Sequence, residues 1–144
     1  MIKVSFKELG SIEDSKLKFV AIVTRYKDKW LYVRHKERTT WEIPGGHREE
    51  NESISYAASR ELFEEAGAIK YKIIPICEYA IESDENPYFT ESFGGLFYAK
   101  VEELNNKFDF EIGEIKLFED IPENLTYPLI QPLLHKKVIE FLKE

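Results

Sequence analysis

The chain has 144 residues, enough for one domain spanning 1–144 with a real hydrophobic core. Its 43% apolar and 33% charged residues are the balance of a soluble globular protein, and its net charge of −7 argues against gripping a nucleic-acid polymer through a basic surface. That charge does not exclude a polyphosphate ligand, because a bound metal ion inverts the local field. The single Cys77 rules out an intramolecular disulfide and a cysteine-based zinc site, and it lies in the apolar run IIPIC, as a buried inert thiol would. The opening MIKVSFKELG is too polar for a signal peptide and no apolar run reaches 18 residues. The expectation is a reduced, cytoplasmic protein without membrane association.

In chain order, KFVAIVTRY over Lys18 to Tyr26 is β-branched and apolar, as a buried strand requires. Asp28-Lys29 reads as a turn, with Trp30 to Val33 pairing back as a hairpin. HKERTT is a polar loop. Trp41 to Ile43 reads as a short strand ended by Pro44-Gly45-Gly46. From about Ser53 to Ala66 the apolar positions Ile54, Ala58, Leu62 and Ala66 step by four, giving a helix with one buried stripe, and Gly67 is placed to end it. Strand-like runs follow at 70–82, 93–101 and 114–118. Leu129, Leu133, Leu134, Val138, Phe141 and Leu142 mark a final helix that Pro132 perturbs near its start. Periodicity alone supports an α/β or α+β domain with no repeats or linkers.

The densest signal is GHREENESISYAASRELFEEAGA, from Gly46 to Ala68. On a helix, neighbours three and four apart face each other, so Glu61 sits beside both Glu64 and Glu65. Three like charges repel and weaken a bare helix. A hard divalent cation such as Mg²⁺ reverses that sign, because it binds carboxylate oxygens. Written as spacing, the stretch is Gly, five residues, Glu, seven residues, Arg-Glu-Leu, one residue, Glu-Glu, one residue, Gly-Ala. This resembles the signature box of the Nudix hydrolases, which cleave nucleoside diphosphates linked to another moiety. The glycine and polar positions all match, and only Ala68 departs, where the family usually carries a larger aliphatic residue. The box covers 23 of 144 residues, and a pattern with this many fixed positions is far more specific than a short glycine motif.

The resemblance implies a Nudix-type α/β/α sandwich, with a mixed sheet between helices. It implies a metal site for Mg²⁺ or Mn²⁺ built from Glu61, Glu64 and Glu65, with Glu61 a ligand or a general base. The Gly45 carbonyl is often a further ligand in the family. Arg60 can reach Glu52 or Glu64 and fix carboxylate geometry. In MutT-like members a late glutamate supplies a base or extra ligand. Glu111 in FEIGEIKLF is the preferred match, with Glu114 and Glu91 behind it, against the simpler reading of a surface glutamate in a turn. Arg34, Lys36 and Arg38 precede Trp41, where a positive cluster would suit a polyphosphate, or they are solvated loop charge. Phe19, Trp41, Tyr79 and Phe97 could stack on a base, although aromatics on strands are usually core. His35, His47 and His135 show no metal-ligand spacing.

On this reading the protein is a metal-dependent pyrophosphohydrolase acting on a small-molecule nucleotide. Its length, the lead-in WEIPGG and the ending LFEDIPENLT resemble the MutT-like nucleoside triphosphatases, and among them the small bacterial 8-oxo-dGTP diphosphatases. In MutT an asparagine near the start of the last helix reads the purine; this chain has Ile130-Gln131 there. ADP-ribose members carry a proline about 16 residues past the box and dinucleoside polyphosphate members a tyrosine near it, whereas Pro87 and Tyr88 fall 19 and 20 past Ala68. An ADP-ribose or other NDP-sugar pyrophosphatase therefore stays as an alternative. So does a catalytically silent Nudix-fold nucleotide-sensing or protein-binding module, although those usually have broken boxes. An isomerase on the same fold fits this short chain less well. Many relatives are dimers, so the resemblance also brings a homodimer into view.

Overall fold

The computed structural model describes residues 2–84, 91–105 and 112–143. Its strands are β1 (Ile2–Lys7), β2 (Leu17–Tyr26), β3 (Lys29–His35), β4 (Gly45–His47), β5 (Ala68–Ser83), β6 (Glu91–Leu104) and β7 (Ile112–Phe118), and its helices are α1 (Ile54–Glu61) and α2 (Gln131–Leu142). The sheet runs β1-β5-β6-β2-β3-β7, with β4 added to β2. All pairings are antiparallel except β2 with β6, so the sheet is mixed.

The unbroken apolar run of β2 is explained by burial on both faces. Val20 and Ile22 point into one core with Ala57, Ala58, Leu62 and Ala66 of the α1 segment. Ala21 and Val23 point into a second core with Leu134 and Val138 of α2. The same alternation divides Leu31 and Val33 from Trp30 and Tyr32 on β3. The helices thus cover opposite faces of the sheet, giving the expected α/β/α layering.

Three local differences from the sequence reading bear on the site. The expected helix over 53–66 is α-helical only to Glu61. Its last turn, Leu62–Ala66, is a wide π turn, and Gly67 closes it in the left-handed region at φ 70°. The Ser53 side chain caps the start, accepting from the Tyr56 N–H at 3.1 Å. The short strand expected at Trp41–Ile43 is instead two isolated bridges, Trp41 to Leu125 and Glu42 to Val33, while Gly45–His47 pairs with β2. The reason is steric: a Cβ on Gly45 would lie 2.2 Å from the Val20 carbonyl oxygen, so glycine is what lets β4 approach. Strand β1 was not anticipated. Among the described residues it pairs with β5 alone, at the sheet edge, and alternates half-buried apolar residues with Lys3, Ser5 and Lys7, a weak signal in sequence. Among the described residues no helix is long and apolar enough to cross a membrane.

Candidate active site

Strand β4 and the α1 segment form the floor of a cleft of about 1270 Å³. Gly45, Gly46, Glu61, Glu64 and Glu65 line it together with His35, Arg38, Glu42 and Gln131. Gly46 lies directly against Glu61: an added Cβ would fall 1.9 Å from Glu61 Oε2. The Gly45 N–H donates to Glu65 Oε1 at 2.8 Å. One β-strand edge and one helical turn therefore bring the glycines and two box glutamates into contact, across about twenty residues of chain.

Arg60 organises the acidic side. Its guanidinium donates to Glu52 Oε2 at 2.5 Å and Oε1 at 2.9 Å, to Glu61 Oε1 at 2.6 Å, to Glu64 Oε2 at 3.0 Å and to the His47 carbonyl at 3.0 Å. A planar fork with five N–H donors suits this role, and lysine could not span the same set. Arg60 holds the Glu52 carboxyl below its ordinary range. Glu61 moves the other way: burial first, then the charge of Glu65, push its carboxyl up to about 7 against the pull of Arg60. One arginine does not neutralise this density.

On the opposite wall sequence reasoning found Arg38 but missed His35 and Glu42. His35, at the end of β3, has Nε2 3.2 Å from Glu65 Oε2 and 3.7 Å from Glu42 Oε1. The hydrogen bond to Glu65, against the cost of burial, raises the His35 pKa above its ordinary value. Glu42 is buried, and its Oε2 accepts from Arg38 at 2.7 Å and from the Thr126 hydroxyl at 3.1 Å. Strand pairing brings them together: Glu42 bridges to Val33, and His35 lies two residues beyond Val33 on the same face.

The remaining sequence candidates divide. Arg38 and Gln131 line the cleft; Gln131 is buried, and its Oε1 accepts from the Ile43 N–H at 2.8 Å. Arg34 and Trp41 do not line it. Arg34 donates to the His35 and Arg38 carbonyls and pairs with Glu114 at 3.5 Å, so it braces the loop that carries Arg38. Trp41 packs edge-on against Phe118. Phe19 and Tyr79 line the cleft 5.6 Å apart, whereas Phe97 belongs to the α1-side core. Glu111 lies outside the described residues.

Among the described residues no three acidic or histidine groups stand in a ready-made cation cage. Their oxygens are instead held by Arg60, His35 and the Gly45 N–H. The donor set still fits a hard divalent cation: it is all carboxylate oxygen beside a glycine floor.

The NUDIX domain family model matches residues 14–135. The chain belongs to the Nudix family. By family it is a Nudix hydrolase, and Nudix hydrolases generally use divalent metal ions. It is 33% identical over 110 residues to a Bacillus subtilis (strain 168) protein provisionally named 8-oxo-dGTP diphosphatase YtkD. That match spans 76% of this chain and 66% of the relative, just under two thirds of the relative's length. The crystal structure of the Bacillus subtilis pyrophosphohydrolase BsRppH superposes with a TM-score of 0.77 at 26% identity, covering 97% of this chain and 90% of that one. A C. elegans Ap4A hydrolase shares the fold at 20% identity, with a TM-score of 0.66 over 88% of this chain and all of that one.

Proposed function

We propose that this Nudix hydrolase cleaves nucleoside triphosphates, with keto bases preferred, to a nucleoside monophosphate and pyrophosphate. The observation that carries the reading is that Glu61 and Glu65 meet the Gly45-Gly46 floor, with Glu64 lining the same cleft, which is large enough for a nucleotide. Mg²⁺ or Mn²⁺ would be held by these carboxylates, with the Gly45 carbonyl as a further ligand. When bound, such an ion neutralises phosphate oxygens and lowers the pKa of water. The chain's own residues do the rest. Arg60 keeps Glu61 and Glu64 in register and Arg38 offers positive charge on the facing wall. A glutamate, Glu61 or Glu111, takes the proton as water oxygen bonds to phosphorus and the bridging P–O bond breaks toward pyrophosphate.

Gln131 supports the base preference. Its oxygen accepts from the Ile43 N–H, which orients the amide, and its N–H donors suit an acceptor on the base. Guanine O6 and thymine or uracil O4 accept at that position, whereas the adenine and cytosine amino groups donate. The likeness to YtkD points the same way, toward guanine nucleotides including the oxidised form.

The test is a panel of nucleoside triphosphates, 8-oxo-dGTP, ADP-ribose and UDP-sugars with Mg²⁺, read by release of pyrophosphate, or of monophosphate from the sugar conjugates. The expected ranking puts guanine and 8-oxoguanine triphosphates first. ADP-ribose or a UDP-sugar turning over faster than every triphosphate would overturn the substrate assignment, and no turnover of any compound would turn the reading toward a nucleotide-binding module.

A further inference from the structure

Of the three box carboxylates, Glu65 is held on both oxygens by groups outside its own helix. Oε1 accepts from the Gly45 N–H at 2.8 Å, and Oε2 lies 3.2 Å from His35 Nε2. Glu64, by contrast, has a side chain 39% exposed, and Arg60 holds its Oε2. His35 in turn faces a second carboxylate, Glu42 Oε1, at 3.7 Å. Glu42 cannot easily move: it is buried, its backbone bridges to Val33 through bonds of 2.8 and 2.9 Å, and Arg38 and Thr126 hold Oε2. A fixed wall carboxylate and a box carboxylate thus face the same imidazole nitrogen, the box carboxylate at the shorter distance.

We propose that His35 is a positioning residue for Glu65, its Nε2–H fixing one carboxylate oxygen while the Gly45 N–H fixes the other. The inference rests on the reading of the box as a metal site. A carboxylate oxygen that accepts one hydrogen bond keeps a second lone-pair direction for a cation, so the two N–H groups orient Glu65 without using it up. Without them a glutamate side chain samples several rotamers, and a cation must order it on binding. Removing partners of this kind characteristically costs about 10- to 100-fold in metal affinity or activity.

The experiment uses the full chain stripped of metal and titrated with Mn²⁺, free ion being read by electron paramagnetic resonance, in parallel with kcat and KM for dGTP. His35→Leu removes the donor and His35→Gln supplies an amide N–H at similar reach. The expected result is about a tenfold or greater loss of Mn²⁺ affinity and of kcat in His35→Leu, with substantial recovery in His35→Gln. KM for dGTP should stay near the wild-type value. Adding His35→Leu to Glu65→Gln should cost little more than Glu65→Gln alone, because both act through one carboxylate. Circular dichroism checks that each variant is folded. Wild-type Mn²⁺ affinity in His35→Leu, or equal losses in the Leu and Gln variants, would overturn the positioning role and leave the metal site standing. Failure of the wild-type protein itself to take up Mn²⁺ would overturn both.

Discussion

Gly45 and Gly46 are adjacent, yet the structure makes opposite predictions for replacing each with alanine. At Gly46 an added Cβ would sit 1.9 Å from Glu61 Oε2 and 2.6 Å from its carboxyl carbon. The carboxylate must retreat to the 3.4 Å of ordinary contact, about 1.5 Å, and Arg60 at 2.6 Å is drawn along with it. Arg60 also holds Glu64, so two proposed ligands lose their placement together. A misplacement of about 1 Å at a reacting centre costs on the order of 100-fold, and Gly46→Ala should lower kcat by at least about that much. The fold should tolerate the change, since Gly46 is not at positive φ and the clashing atoms end a side chain. At Gly45 the added Cβ meets the Val20 carbonyl oxygen at 2.2 Å and Ala21 Cα at 3.2 Å, which is backbone and cannot yield without parting β4 from β2. Overpacking of this kind costs about 1–3 kcal/mol or more, and the melting temperature should fall by roughly 5 °C or more. Initial rates of pyrophosphate release and thermal melts of the two variants decide the matter. A Gly46→Ala enzyme with kcat within about threefold of wild type would refute the claim that Glu61 placement limits the chemistry.

Further outcomes follow from the same geometry. Glu64→Gln and Glu65→Gln should each reduce kcat by about a hundredfold or more, and excess chelator should abolish activity until Mg²⁺ or Mn²⁺ is restored. Near-normal turnover in both variants would remove them from the metal site. Glu111→Gln should depress kcat for every nucleotide with KM little changed if Glu111 serves as base or ligand, whereas Gln131→Leu should reorder the panel by flattening the preference for keto bases. His135 supplies a pH test of stability: it is fully buried, its Nδ1 lies 2.7 Å from the Tyr32 hydroxyl, and burial holds its pKa down to about 4. A folded-state value below the unfolded 6.5 means the contribution is present above pH 6.5 and lost as pH falls toward 4. Between pH 7 and 5 the loss is about 2 kcal/mol. Urea unfolding at those two pH values should show that much less acid sensitivity in His135→Leu, whatever its stability at pH 7, and an unchanged pH dependence would contradict the assignment.

The box could be read from the chain because its residues are close in sequence. Glu61, Glu64 and Glu65 lie within five residues, so helical spacing alone places them together, and Arg60 falls among them. The buried strands were legible too, since β2 and β3 are apolar on both faces, β2 rich in β-branched residues and β3 in aromatic ones. The helix over 54–66 showed its core stripe, with Ala58, Leu62 and Ala66 fully buried.

Tertiary structure decided everything that depends on a partner distant in sequence. No local pattern in HKERTT says that His35 meets Glu65 thirty residues on, or that Arg34 turns to the loop backbone while Arg38 faces the cleft. The chain break read at Pro44-Gly45-Gly46 leads directly into a strand, Gly45–His47, because only glycine lets its backbone close on Val20. The Gln131 oxygen accepts from the Ile43 N–H, eighty-eight positions away, and that bond fixes which way the amide is turned. Short-range spacing sets which groups share a helical turn. Which wall they face, and which of their lone pairs remain free for a ligand, is set by strand pairing, and pairing partners are a property of the whole chain.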